Sequence, residues 1–137
     1  MASRLNPYLS FKDNAREAME FYKSVFGGEL TVSTFGDYGS QDATEKNLVM
    51  HAQLEAPNGI WLMGSDTPAR MTFSKPAGVS ISLSGDDEAT LKGYWDKLAK
   101  GATISQPLAR APWGDSFGML TDKFGTPWLV NISGRQQ

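Results

Sequence analysis

His51 is the only histidine in the chain and the one side chain whose ordinary titration falls near neutrality. It is a candidate general base. The plainer alternative is a hydrogen bond to Gln53, to a backbone group or to a ligand. A base without a metal, a nucleophile or oxyanion donors is an incomplete catalytic centre, so no catalytic residue is assigned beyond that candidate. Asp66, within Asp66-Thr67-Pro68, reads as a turn cap rather than a ligand. Trp61, Met63, Trp113, Phe117 and Met119 offer ring and thioether surface, suited to stacking on a flat aromatic ligand or to filling an interface or cleft. Tyr38 lies in the glycine-flanked run Phe35-Gly36-Asp37-Tyr38-Gly39 and is a candidate lid residue. That run is a weak anion cradle, because no helix follows it.

Composition bounds the classes of function. The chain has 137 residues, 40% hydrophobic and 20% charged, which suits one globular domain with a proper core. Thirteen basic and fifteen acidic residues leave a net charge of -2 with no Lys/Arg cluster, which speaks against nucleic acid and anionic membrane as partners. Without cysteine there is no disulfide, thiolate zinc site or cysteine nucleophile. Apolar runs are too short for a transmembrane helix, and MASRLNPYL lacks the apolar stretch of a secretory leader. The expectation is a cytoplasmic protein whose partner is a small molecule or another protein.

The elements that must position these residues come as an internal repeat. Leu9 to Leu30 resembles Ile81 to Ile104, with Phe11 matching Leu83, Asn14 matching Asp86, Tyr22 matching Tyr94 and Phe26 matching Leu98. Each copy reads as a short strand, a capped helix, a glycine stop and a further strand. Asn14 with Glu17 is a plausible capping box, and Ala18, Met19, Tyr22, Val25 and Phe26 form one apolar face ended by Gly27-Gly28. In the second copy Asp86 is the candidate cap, Leu91, Tyr94, Trp95 and Leu98 the face, and Gly101 the stop. Strands follow at roughly Glu29 to Phe35, Leu48 to Glu55 and Gly59 to Gly64, with Asn58-Gly59 as a hairpin signal. In the second half they fall at roughly Thr103 to Pro107, Phe117 to Asp122 and Pro127 to Ser133, with a turn at Phe124-Gly125. The fold class is α+β: two tandem βαβββ modules, about 4–66 and 77–134 of a single 1–137 domain. Their antiparallel strands would curve around a cleft with helices outside. The long connections Gly36 to Asn47 and Ser65 to Gly78 are lids or plain connectors.

Strand alternation assigns the faces. Leu9, Phe11, Met50, Ala52, Leu54, Ile60, Leu62, Val79, Ile81, Leu83, Trp128, Val130 and Ile132 point to the helices. That leaves Asn6, Tyr8, Ser10, His51, Gln53, Trp61, Met63, Ser80, Ser82, Leu129 and Asn131 on the opposite face. This mixture of aromatic, thioether, hydroxyl and amide groups suits a concave ligand site.

NPYLSFKDNAREAMEFYKSVFGGEL, the His51 strand, LMGSD (Leu62 to Asp66) and WGDSFGMLTDKFGTPW (Trp113 to Trp128) together resemble the PhnB-like branch of the vicinal oxygen chelate superfamily. That superfamily holds glyoxalase I, bleomycin-resistance proteins and extradiol dioxygenases. The likeness spans nearly the whole chain and rests on FY-x-x-x-FGG and WG…DxFGxxW in order. It implies paired βαβββ modules curling into a cleft, in a homodimer. Members of this branch carry a ubiquinone-pathway methyltransferase label, which no glycine-rich cofactor fingerprint here supports.

Enzymes of the superfamily hold a divalent metal from the first and fourth strands of each module. The resemblance puts those positions at or near Asn6, Trp61, Ser80 and Leu129, where no imidazole or carboxylate stands. The expectation is a small-molecule binder without metal or other cofactor, acting as a homodimer. Its ligand contacts would be Tyr8, Ser10, Tyr38, His51, Gln53, Trp61, Met63, Trp113, Phe117, Met119 and Leu129. The competing readings are a divalent-metal-dependent lyase or dioxygenase, and a dimeric module with no ligand at all.

Overall fold

The computed structural model describes residues 3–75 and 77–134. Internal contacts divide the chain into two units, one up to Lys75 and one after it. The first unit comprises β1 (Tyr8–Phe11), α1 (Ala15–Phe26), β2 (Glu29–Thr34), a 3-10 turn (Gly36–Tyr38), β3 (Val49–Glu55) and β4 (Trp61–Asp66). The second comprises β5 (Ile81–Gly85), α2 (Glu88–Leu98), β6 (Thr103–Arg110), β7 (Ser116–Thr121) and β8 (Pro127–Ile132). Each unit is therefore βαβββ, as the repeat implies.

The two sheets share one topology, β1-β4-β3-β2 and β5-β8-β7-β6. Neither is purely antiparallel, which corrects the sequence reading: β1 pairs with β4, and β5 with β8, in parallel. The helix carries the chain back so that β2 starts in the direction of β1, and two hairpin reversals then bring β4 alongside β1 running the same way. Side-chain alternation is blind to this, because it reports faces and not direction.

Helix α1 buries the face read from its periodicity: Ala18, Met19, Tyr22, Val25 and Phe26, each worth roughly 1–3 kcal/mol of hydrophobic stabilisation for the larger side chains. Gly64 of β4 lets this face come close, since a Cβ there would lie 3.2 Å from Sδ of Met19 and 3.1 Å from Cε2 of Phe11. In the second unit Gly118 does the same for Trp95, whose Cη2 would lie 2.8 Å from an added Cβ. Tyr94, read as part of the α2 face, is only half-buried beside the buried Leu91, Trp95 and Leu98.

Both helix caps differ from expectation. The Asn14 side chain makes no capping bond. The start of α1 is capped from across the sheet instead, the Ala15 N–H donating to Oδ1 of Asp66 at 2.9 Å. Helix α2 is capped by Asp87 rather than Asp86, through the Thr90 N–H and hydroxyl at 3.1 and 2.8 Å. The Asn58-Gly59 signal is realised, both residues having positive φ (67° and 74°).

Four core assignments differ: Ile81, at the start of β5, is half-buried, and Met50, Val79 and Ile60 also leave the core. Ser33 pairs with His51 but Thr34 with Val49, so Met50 is the extra residue of a bulge and Val49 takes the buried place. Val79 is 71% exposed because the β5–β8 ladder starts only at Ile81. Ile60, just ahead of β4, is half-buried. Strand β6 continues past Pro107 to Arg110. As an edge strand it tolerates a proline without a ladder hydrogen bond, and it carries two register shifts.

Candidate functional site

In the first unit the sheet face away from α1 is built by Tyr8 and Ser10 of β1 and by the odd-numbered residues of β2, β3 and β4. Tyr8, Met63, Gln53 and Thr31 are successive pairing partners and form one row across the four strands. Ser10 with Ser65, and His51 with Ser33, belong to the next row. Trp61, Glu55 and Glu29 form a row on the other side. Ser65, Ser33, His51, Gln53, Trp61 and Met63 are half-buried, while Tyr8 and Ser10 are exposed. The predicted first-unit sheet residues thus share one face with moderate accessibility and no full core burial.

The hydroxyl of Tyr8 lies 3.3 Å from Nδ1 of His51, with the rings tilted at 36°. This is not the Gln53 partner considered from the sequence. The Gln53 Nε2–H donates to Oε2 of Glu55 at 2.8 Å. Trp61 carries a guanidinium that the sequence reading missed: Cζ of Arg4 stands 3.5 Å from the ring centroid. Arg4 precedes the first strand, in a segment with no periodicity to place it.

Tyr38 sits in the 3-10 turn, off the sheet and 67% exposed. The run around it is closed on itself: the Thr34 N–H donates to Oδ2 of Asp37 at 2.9 Å and the Asp37 N–H donates to Oγ1 of Thr34 at 3.1 Å. A carboxylate therefore already occupies the place an anion would take.

In the second unit Ser82, Leu129, Met119 and Gln106 form one row, and Ser84, Asn131, Phe117 and Ala109 the next. Leu129, Met119 and Phe117 are half-buried. Trp113 lies beyond the sheet in the β6–β7 connection, 65% exposed, its ring 6.1 Å from that of Phe117 and edge-on to it. The connection is braced by Asp115, which accepts from the Gly134 N–H at 2.8 Å and from Asn131 Nδ2 at 3.1 Å. These bonds, the Gly134 one foremost, hold the Asp115 carboxyl below the usual carboxylate range.

Asp66 lies on none of these rows. It is buried on the helix side, accepting from Ala15 N–H and from Val49 N–H at 2.9 Å each. A depression of about 400 Å³ opens there, lined by Asp13, Asn14, Arg16, Glu17, Glu20, Asn47, Leu48, Val49 and Asp66 itself.

A divalent metal fits poorly at the positions the resemblance indicates. Asn6 and Ser80 provide one amide and one hydroxyl oxygen, and Trp61 and Leu129 provide nothing. Among the described residues no three His, Asp or Glu side chains come together to hold an ion. No helix of the described chain is long and apolar enough to cross a membrane.

The sequence and the fold match known proteins. The family described as 3-demethylubiquinone-9 3-methyltransferase matches residues 3–131, and the chain belongs to it, within the PhnB-like branch of the vicinal oxygen chelate superfamily. Protein YjdN of Escherichia coli K12 is 28% identical over 96% of this chain and 97% of its own. The crystal structure of PA1353 from Pseudomonas aeruginosa superposes with a TM-score of 0.86 at 35% identity, covering 96% of this chain and 98% of that one. A Bacillus cereus structure titled putative 3-demethylubiquinone-9 3-methyltransferase, PhnB protein, gives 0.76 at 27%, covering 96% and 100%. A glyoxylase/bleomycin resistance protein/dioxygenase domain from Frankia shares the fold at 17% identity, with a TM-score of 0.65 over 98% and 99% of the chains.

Proposed function

We propose that this chain is a small-molecule-binding protein of the glyoxalase/bleomycin resistance type, working without a metal, with its ligand in a mixed aromatic and polar cleft of a homodimer. The observation that carries the reading is the face formed by Tyr8, His51, Gln53, Trp61 and Met63. Its accessible aromatic and thioether surface comes with a few polar groups, the composition of ligand sites rather than of a solvated sheet or a packed sandwich. In the second unit Met119, Phe117 and Leu129 continue the same chemistry on the corresponding register.

The reading does not extend methyl transfer to this chain. The strand-to-helix junctions carry no glycine-rich run: Lys12-Asp13-Asn14 has none, and Gly85 stands alone ahead of Asp86-Asp87. The start of α1 already faces the Asp66 carboxylate, and that of α2 the Asp87 carboxylate. Lewis-acid chemistry is likewise not invoked, because the donor set at Asn6, Trp61, Ser80 and Leu129 does not suit a divalent ion.

The test is a thermal-shift panel of flat aromatic compounds on dialysed, untagged protein, with Mn, Fe, Co, Ni and Zn measured in the same sample. Saturable stabilisation that Trp61→Ala abolishes, with metal far below one equivalent per chain, is expected. Near-stoichiometric metal, or no stabilisation by any aromatic compound, overturns the reading. His51→Ala distinguishes a binder, which loses part of its affinity, from an enzyme, which loses nearly all turnover.

A further inference from the structure

We propose that the Trp61 end of this face is a site for a planar organic cation, an aryl amidinium or guanidinium, which binds by displacing Arg4. The inference rests on the reading of the face as a ligand site and names the ligand class.

Arg4 lays its guanidinium 3.5 Å from the Trp61 centroid, so the ring face accepts a flat cation. Arg4 comes from an exposed segment ahead of the first strand and has no carboxylate partner among the described residues to fasten it. An exposed contact of this kind is worth about 0.5–1 kcal/mol, weak enough for a ligand to replace.

The carboxylates beside the ring complete the argument. Glu55 is the direct pairing partner of Trp61, and Glu29 that of Glu55, so two glutamates and the indole share one row. Like charges directly opposite each other on a sheet are unfavourable. Neither glutamate has a cationic partner among the described residues, and Gln53 brings Glu55 an amide donor without charge. A cation stacked on Trp61 would meet both the ring and this uncompensated charge. Met63, two residues along β4, offers apolar surface for the ring that carries the cation. An ammonium is disfavoured relative to a flat cation, because it is more strongly hydrated and cannot stack.

The test titrates the full chain with benzamidine and with its neutral isostere benzamide, followed by proton–nitrogen NMR. The Trp61 indole signal is assigned from Trp61→Phe. Benzamidine is expected to shift that signal saturably and to bind several-fold more tightly than benzamide. Arg4→Ala should bind benzamidine about two- to fivefold more tightly, the factor that the lost competing contact corresponds to. Glu55→Gln should bind it more weakly. Equal binding of benzamide, or an Arg4→Ala affinity equal to or below the parent's, overturns the proposal. If benzamidine leaves the face unmoved while a neutral aromatic compound perturbs it, the cation assignment falls and the binding reading stands. If no aromatic compound of any charge perturbs it, both fall.

Discussion

The Tyr8 hydroxyl reaches across β4 to within 3.3 Å of Nδ1 of His51, joining the edge strand β1 to β3 on the accessible face of their sheet. With the phenol as donor to Nδ1 the imidazole proton sits on Nε2, and the pair then presents an N–H donor together with a phenolic oxygen that can accept. Tyr8→Phe removes that bias, so the Nδ1–H tautomer should gain population while Nε2–H, the form a free imidazole prefers, stays the major one, visible in its side-chain nitrogen shifts. It should cost an aromatic ligand less than tenfold in affinity, since one neutral hydrogen bond contributes about 1 kcal/mol. An unchanged tautomer population in Tyr8→Phe would show that the contact does not orient His51.

Asp66 fastens α1 and β3 to the end of β4 through the Ala15 and Val49 N–H groups. Asp66→Ala leaves both donors without that partner in a buried place and should destabilise the first unit by about 2–3 kcal/mol. For a chain of this size that is a fall in Tm of roughly 8–12 °C. Asp66→Asn, which keeps one acceptor, should fall between. A loss below about 0.5 kcal/mol in denaturant unfolding would contradict the bracing role.

Gly118 shows why a strand glycine can be a packing residue. An added Cβ would lie 2.8 Å from Cη2 of Trp95 and 2.8 Å from Cα of Leu108, so both helix and neighbouring strand block it. Gly118→Ala should cost about 1–3 kcal/mol by overpacking, and the smaller Trp95→Leu background should recover part of it. The same alanine at Gly93, where nothing lies within 4 Å, should be tolerated or slightly stabilising.

Much of this was legible in the sequence, and the gaps have physical causes. The α1 face and the alternating burial of β4 and β8 follow from periodicity, because amphipathic elements record their burial in residue type. The Met50 bulge was not legible, since an extra residue leaves no mark in a two-residue period. The cap of α1 was misread because Asn14 has the right identity and spacing while Asp66 wins the position from fifty-one residues away. On the candidate site, register placed Tyr8, His51, Gln53, Trp61 and Met63 together. Arg4 on Trp61, and Asp115 bonded to Asn131, are contacts between residues that no local pattern links.

The α2 cap should make the second unit sensitive to acid. Asp87 is held below the usual carboxylate range first by the Thr90 hydroxyl and then by the Thr90 N–H. A folded-state pKa below the unfolded one contributes stability that is fully present above the unfolded value and is lost as pH falls through the folded value. Asp115 acts in the same sense, through Gly134 and Asn131. Stability measured by denaturant unfolding should therefore decline as pH drops below about 4. Asp87→Asn keeps a capping oxygen but cannot titrate, so it should be less stable than the parent at neutral pH and lose less on acidification. An identical pH slope in parent and Asp87→Asn would mean that the capping bonds do not favour the ionised carboxylate.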